Sequence, residues 1–426
     1  MNLGGGPGAD VLTAYLRILS GFSRDGRLYL LASALLGLTY WGGIASVLAN
    51  LYLLRLGYGP EFIGLFNACG GFGYASFALP AGAVGRRWGS RRAMIAGLWV
   101  SVAGGLLLPM AEAAPEGLRS ALLLVGHITL TAGFSLFAVN GSPFLVVATT
   151  PEERNHAFSV SAALGPFSAF VGSLSAGVLP GLFAPALGIT LAHPAPYRYP
   201  LFIAAALLIP ACMAILATRP ASEEPMAQLR GGTGRAPRAL IALLALAVAL
   251  RTPAEGSART FFNVYLDAGL GAPTPLIGAL TATGQLLSGP VALAAPLLMA
   301  RYGVSRTYLL GSAGAVLGLM PLALIPHWAG AGVGFVGTMA AISLAFPSVN
   351  VYAMALVAPA WRSTMSGALA LATGTSFMLV ALSGGYLISA FGFPSLYLTA
   401  ASLAAVGTAL FWAYFRMPRG ETALAS

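Results

Sequence analysis

Twelve apolar runs, each long enough to cross about 30 Å of hydrocarbon as a helix, succeed one another with short polar breaks at 28–56, 61–84, 93–111, 120–148, 157–184, 199–218, 239–267, 274–300, 307–326, 330–357, 364–391 and 394–416. The runs are continuous rather than alternating over strand-length segments, so the pattern predicts helices and argues against a β-barrel. The longest polar stretch, "RPASEEPMAQLRGGTGRAPR" at 219–238, divides them six and six and reads as a cytoplasmic linker. The expected fold is therefore an all-α membrane protein with twelve transmembrane helices in two pseudo-symmetric six-helix bundles, 28–218 and 239–416. Residues 1–27 carry Val11, Leu12, Tyr15, Leu16 and Leu19 at helical spacing but are too polar to span. They are expected to lie at the membrane face as an amphipathic helix, with 417–426 as a cytoplasmic tail.

The two halves repeat each other. "NLYLLRLGYGPEFIG" (50–64) aligns with "NVYLDAGLGAPTPLIG" (263–278), placing Asn50 on Asn263, Tyr52 on Tyr265 and, after one inserted residue, Ile63 on Ile277 and Gly64 on Gly278. The same offset puts Arg87 on Arg301, Gly89 on Gly303 and Arg92 on Arg306. A third loop matches Pro151 with Pro359 and Arg154 with Arg362. Agreement in three separate loops points to a duplicated six-helix unit, a parallel repeat of the kind found in one large transporter class.

Composition sets the solvent. Of 426 residues 58% are hydrophobic and 8% charged, against roughly 25% charged in soluble domains. All 22 basic residues are arginine. With a cytoplasmic N-terminus, 17 of them fall on cytoplasmic segments, and only Arg55, Arg119 and Arg198 lie at the outer side, the asymmetry of the positive-inside rule. The net charge of +10 then reflects anionic lipid at the cytoplasmic face and calls for no nucleic acid. Cys69 and Cys212 sit in apolar runs without metal-ligand spacing, as buried small hydrophobes do. The chain has no HExxH, GxSxG, paired membrane aspartates or cysteine–histidine cluster, so neither an enzyme nor a cofactor is expected.

"GAVGRRWGSRR" (82–92) follows the second span. It resembles the major facilitator superfamily signature G-x-x-x-D-R-x-G-R-R: Gly82, Arg87, Gly89 and Arg91 match, Ser90 departs, and Arg92 adds a charge. Arg86 stands where the family has an aspartate, and Ala300 occupies that place in the weaker second copy, "PLLMARYGVSR". In the family that aspartate helps latch the cytoplasmic gate in the outward-open state, so the resemblance implies a latch that is weaker or built otherwise here. It covers essentially 28–416. Independently of it, glycine permits a tight turn, and arginines there can anchor to headgroups and helix C-terminal carbonyls. In span five, "LGPFSAFVGSLSAG" (164–177) resembles an antiporter motif through Gly165 and Pro166 but lacks its closely following paired glycines.

Candidate chemistry concentrates in span seven. Arg251, Glu255 and Arg259 are four residues apart, so they form a stripe on one helical face. Each charge near mid-membrane costs roughly 2.5–3.5 kcal/mol, which predicts that the stripe faces protein or a water-filled cavity. The resemblance implies a cavity lined by the first, fourth, seventh and tenth helices. With Glu255 ionised the triad carries one net positive charge and attracts an anionic or zwitterionic solute; a self-contained ion pair that fixes helix packing is the alternative. His127 suits a proton relay or a packing role. Asn140, Gln285 and Asn350 can line the cavity or bridge helices. Tyr40 and Trp41, opposite the triad by the repeat, can form an aromatic wall, while the repeated Asn50 and Asn263 suggest a structural cap or outer gate.

The expectation is a secondary carrier in the cell membrane, both termini cytoplasmic, taking a small-molecule substrate and protons and working as a monomer by family default. The preferred expectation is proton-linked export of a small amphipathic or anionic organic compound, with organic-anion uptake second and a non-transporting sensor or scaffold third, because fold does not dictate function.

Overall fold

The computed structural model describes residues 22–219, 238–358 and 361–415, and among them every regular element is a helix. The predicted N-terminal amphipathic segment up to residue 21, linker residues 220–237, Pro359 and the tail from residue 416 lie outside the described residues. Twelve spans result: α1 (Arg24–Arg55), α2 (Pro60–Trp88), α3 (Ser90–Ala113), α4 (Glu116–Ala148), α5 (Pro151–Ala186), α6 (Ala195–Leu216), α7 (Arg238–Gly269), α8 (Thr274–Tyr302), α9 (Val304–Leu324), α10 (Trp328–Leu356), α11 (Arg362–Phe391) and α12 (Phe393–Phe415). All but α2 are straight or continuous enough to pass as single apolar spans. α2 bends by 43° between Ala78 and Pro80, because proline removes a helical hydrogen bond and crowds the preceding turn. The protein is a multi-pass membrane protein.

The packing repeats as the sequence does. Within the first half α1 packs on α5 and α6, α4 on α2 and α3, and α3 on α6; within the second, α7 packs on α11 and α12, α10 on α8 and α9, and α9 on α12. The halves then meet through two equivalent seams, α5 on α8 and α2 on α11, with α1 and α7 crossing between them. Small residues set these approaches: a Cβ at Gly97 of α3 would come 2.5 Å from the Gly133 carbonyl oxygen of α4, and its repeat mate Gly311 of α9 lies just as close to α10. Such contacts stand in for a hydrophobic driving force that lipid does not supply. Large side chains such as Leu293, Leu297 and Phe391 are exposed on the perimeter, as befits a surface wetted by acyl chains rather than water.

Two features were not in the hydrophobic pattern. α1 is broken, its helical parts Arg24–Thr39 and Ile44–Arg55 joined by a turn at 40–43 in which Gly42 has φ of +88°. α7 ends in a π-turn, Tyr265–Gly269, the one-residue insertion seen in the repeat.

Candidate functional site: the central cleft and its outer closure

The turns after α2 and α8 are equivalent in detail. Gly89 and Gly303 terminate their helices with φ of 86° and 87°, a conformation a Cβ makes costly. Arg91, just beyond, donates from Nε to Thr218 Oγ1 at 3.0 Å and from its terminal nitrogen to the Leu216 carbonyl at 2.6 Å. It thereby caps the C-terminal end of α6, where the helix dipole is negative. Arg86, Arg87, Arg92, Arg301 and Arg306 are exposed around this end, with Arg301 over the Tyr302 ring at 5.3 Å, and Gly82 lies half-buried one turn before Arg86.

Away from the arginine-rich turns, at the opposite end, the halves are clasped. Asn50 of α1 donates to the Thr260 carbonyl of α7 at 2.8 Å, and Asn263 of α7 reaches the Ser46 carbonyl of α1 at 3.4 Å. Each asparagine is held from its own half: Asn67 donates to Asn50 Oδ1 at 3.0 Å, and Thr281 to Asn263 Oδ1 at 2.9 Å. Asn67 and Thr281 are repeat mates, and each also donates one turn back, to Ile63 and Ile277. Above the clasp Arg55 forms a bidentate pair with Asp267 at 2.7 and 2.6 Å and lies over the Tyr197 ring. Spacing along the α2–α11 seam gives the direction of opening. A Cβ at Gly64 would collide with the Ala381 carbonyl; one at Gly71 would meet Met378 at 3.9 Å, one at Gly374 would meet Ala75 at 3.8 Å, and one at Gly367 would meet nothing within 4 Å. The halves are closed at the clasped end and part toward the arginine-rich end.

α7 is surrounded by α9, α10, α11 and α12 and by α1 and α2 of the other half. From Arg251 to Leu266 every residue is buried except Glu255 and Arg259. These two alone in the stretch keep exposed surface, although six helices pack around α7. Arg259 Nε donates to Glu255 Oε1 at 3.0 Å, and the Arg251 guanidinium lies 3.6 Å from Glu255 Oε2. Exposure divides the triad, 40% for the Arg259 side chain, 19% for Glu255 and 3% for Arg251. Arg251 Nε and one terminal nitrogen have no hydrogen-bond partner among the described residues, and the nearby Tyr308 hydroxyl is likewise buried and unpartnered. Arg251 is thus a charge held inside the second half, and Glu255 and Arg259 are the more exposed members of the triad.

The remaining predicted residues separate. Gln285 of α8, 9% exposed, presses its amide against Gly42 in the broken turn of α1. Trp41, 58% exposed, stands edge-on to Phe134 at 4.9 Å, whereas Tyr40 turns its hydroxyl toward Gly105 of α3, so only the tryptophan offers an open aromatic face. His127 stacks on Phe66 at 4.0 Å in space left by Gly70, with Nδ1 unpartnered. Asn140 is buried between α4 and α2, donating to the Ala81 carbonyl at 3.1 Å; it bridges helices. Asn350 donates to its own helix at Phe346, 2.8 Å away. Sequence reasoning missed Asn67, Thr281 and Asp267. The first two share the repeat offset and were within reach of it; Asp267 carries no signal of a partner 212 residues away.

The Major Facilitator Superfamily family model matches residues 29–253. An uncharacterised MFS-type transporter of Burkholderia mallei strain SAVP1 is 34% identical over 167 residues, and a counterpart in Burkholderia pseudomallei strain 668 gives the same figures. The match spans 39% of this chain and 40% of the relative, so the chain covers less than half of the length of the curated relatives it matches. Among solved structures, a D-xylose–proton symporter superposes with a TM-score of 0.71 at 14% identity, covering 91% of this chain and 97% of the symporter. A mutant form of the nucleoside transporter NupG gives 0.70 at 15%, covering 92% and 99%. The xylose transporter XylE of E. coli, solved in an inward-open conformation, gives 0.70 at 12%, covering 93% and 96%.

Proposed function

Because the chain belongs to the Major Facilitator Superfamily, whose members are membrane transporters, we propose that it is a proton-coupled secondary carrier whose solute binds in the central cleft against Arg259 and Glu255. One observation carries this reading: in a buried stretch of α7, these two charged residues alone keep exposed surface. Keeping them there costs free energy that lipid-facing leucines would not. With Glu255 ionised the triad has one net positive charge, so the cleft favours a small organic anion or an amphipathic compound bearing an anionic group. A proton enters as the alternative partner of the carboxylate: when substrate engages Arg259, Glu255 loses its shorter ion pair and is free to accept one. His127, unpartnered at Nδ1, is a second proton-handling group in this scheme.

The proposed cycle rocks the six-helix units 28–218 and 239–416 about the cleft, exposing it alternately to each side. The arginine distribution supports an inner or plasma membrane location with both termini cytoplasmic, so the described conformation is open inward. Export is the proposed direction and organic-anion uptake the alternative; the carrier acts as a monomer in lipid. The test is accumulation of labelled organic anions in proteoliposomes under an imposed pH gradient, parent against Glu255→Gln. The expected result is loss of gradient-driven accumulation with counterflow exchange retained. Full accumulation by the variant removes Glu255 from coupling.

A further inference from the structure

Pro253 stands in α7 between Arg251 and Glu255. Proline has no N–H for the carbonyl four residues before it, and its ring crowds that carbonyl, so the Ala249 oxygen loses its helical donor. The neighbouring helix supplies another: Ser376 of α11 donates from Oγ to the Ala249 carbonyl at 2.7 Å. In hydrocarbon a freed carbonyl has no water to turn to, and a serine from an adjacent helix can satisfy it. Among the described residues no other carbonyl four places before an in-helix proline receives a side-chain hydrogen bond. The ladder is loosened one residue earlier as well, because Thr252 turns its hydroxyl back to the Val248 carbonyl at 2.8 Å, a pattern that bends helices.

The ion pairs register this break. Glu255 and Arg259 stand on the same side of the proline and are hydrogen-bonded at 3.0 Å. Arg251 and Glu255 stand across it and are 3.6 Å apart, too long for a hydrogen bond. α11 follows α7 past the break: Ser376 holds Ala249 before it, and beyond it Phe377 and Val380 pack on Gly256, where a Cβ would meet them at 3.4–3.5 Å. On one side the break is loosely filled. A cavity of about 550 Å³ runs beside it, bounded by Ala249 and Pro253 of α7, Ser376 and Leu379 of α11 and Leu403 of α12. On that side the hydrogen bond, rather than interlocked side chains, ties the two helices. The same helix meets the other half, a Cβ at Gly374 lying 3.8 Å from Ala75 of α2.

We infer that Ser376 is a positioning residue: by satisfying the carbonyl that Pro253 frees, it fixes the angle between the two parts of α7 and with it the separation of Arg251 from Glu255. Its bearing on transport rests on the central-cleft reading; the bond and the pair it aligns do not.

The experiment is a pair of double-mutant cycles, read as shifts in the melting temperature of the detergent-purified full chain. The first compares Ser376→Ala with and without Pro253→Ala. Alanine at 253 restores the backbone donor, so Ser376→Ala should lower the melting temperature by several degrees over proline and by less than half as much over alanine. Ser376→Thr keeps the hydroxyl, has the cavity for its methyl group and should match the parent. The second cycle combines Ser376→Ala with Glu255→Gln. Residues that share an interaction are non-additive whereas independent ones add, so the double variant should lose less than the sum of the two. Amide hydrogen exchange gives a local reading: exchange over 250–256 should quicken in Ser376→Ala and return to the parental rate in Ser376→Thr and when Pro253→Ala is added. Equal losses over proline and alanine, additivity with Glu255→Gln, or unchanged exchange over 250–256 overturns the role of Ser376. Full gradient-driven accumulation by Glu255→Gln, with both cycles non-additive, strikes the central-cleft reading and leaves that role standing.

Discussion

Arg251 is the residue on which the energetics of the cleft turn. Its side chain is 3% exposed and its carboxylate partner lies 3.6 Å away, while that carboxylate is also shared with Arg259. Removing the carboxylate strands a buried cation, and uncompensated buried charges cost about 3–5 kcal/mol. Glu255→Gln should therefore lower the apparent melting temperature of the purified protein, and adding Arg251→Met should restore much of it, because methionine fills the space without a charge. Arg259→Gln, at an exposed position, should leave the melting temperature close to the parent's while weakening anion binding. Thermal denaturation of the four proteins checks this; equal melting temperatures for parent and Glu255→Gln would mean that Arg251 finds its compensation elsewhere. The stripe itself was legible in the sequence because i, i+4 spacing is a property of the helix. The division of labour within it was not, since burial of Arg251 depends on α9 and α12, whose approach no local pattern records.

At the scale of elements, the clasp between α1 and α7 is a two-fold device whose halves should act alike. Asn50→Ala and Asn263→Ala each remove a hydrogen bond between the halves and one within their own half, from Asn67 or Thr281, and a net bond is worth about 1 kcal/mol. Both variants should shift the protein toward an outward-open state, by similar amounts, seen as faster labelling of cysteines placed at the outer end. Gly278→Val should do so more strongly, because even a Cβ there comes 2.6 Å from Gly177 Cα across the α5–α8 seam. Unchanged labelling in Gly278→Val would show that the seam does not close the outer end. The twelve spans, the repeat and the paired glycine turns at Gly89 and Gly303 were readable from hydropathy and spacing, since each is a local demand on the chain. The break at 40–43 was not. A Gly-Gly step is common in membrane helices, and what opens this one is contact with α5 and α8, including Ser173 donating to the Gly42 carbonyl.

For the whole molecule, the two halves are joined at the end away from the arginine-rich turns and spread toward those turns, as one end state of the proposed rocking motion would be. The motif that resembles a cytoplasmic latch has Arg86 where an acid is expected, and in this conformation Arg91 secures α6 within its own half. Closure between halves rests instead on the outer clasp and the Arg55–Asp267 pair, which join α1 to α7. Alternating access requires that pair to separate once per cycle. The direct measurement is transport in proteoliposomes by a variant carrying Arg55→Cys and Asp267→Cys on a background with Cys69 and Cys212 replaced by serine, before and after joining the two thiols with a short reducible cross-linker. Cross-linking should abolish transport and reduction should restore it. Transport at the uncross-linked rate with the two positions tied together would contradict the account.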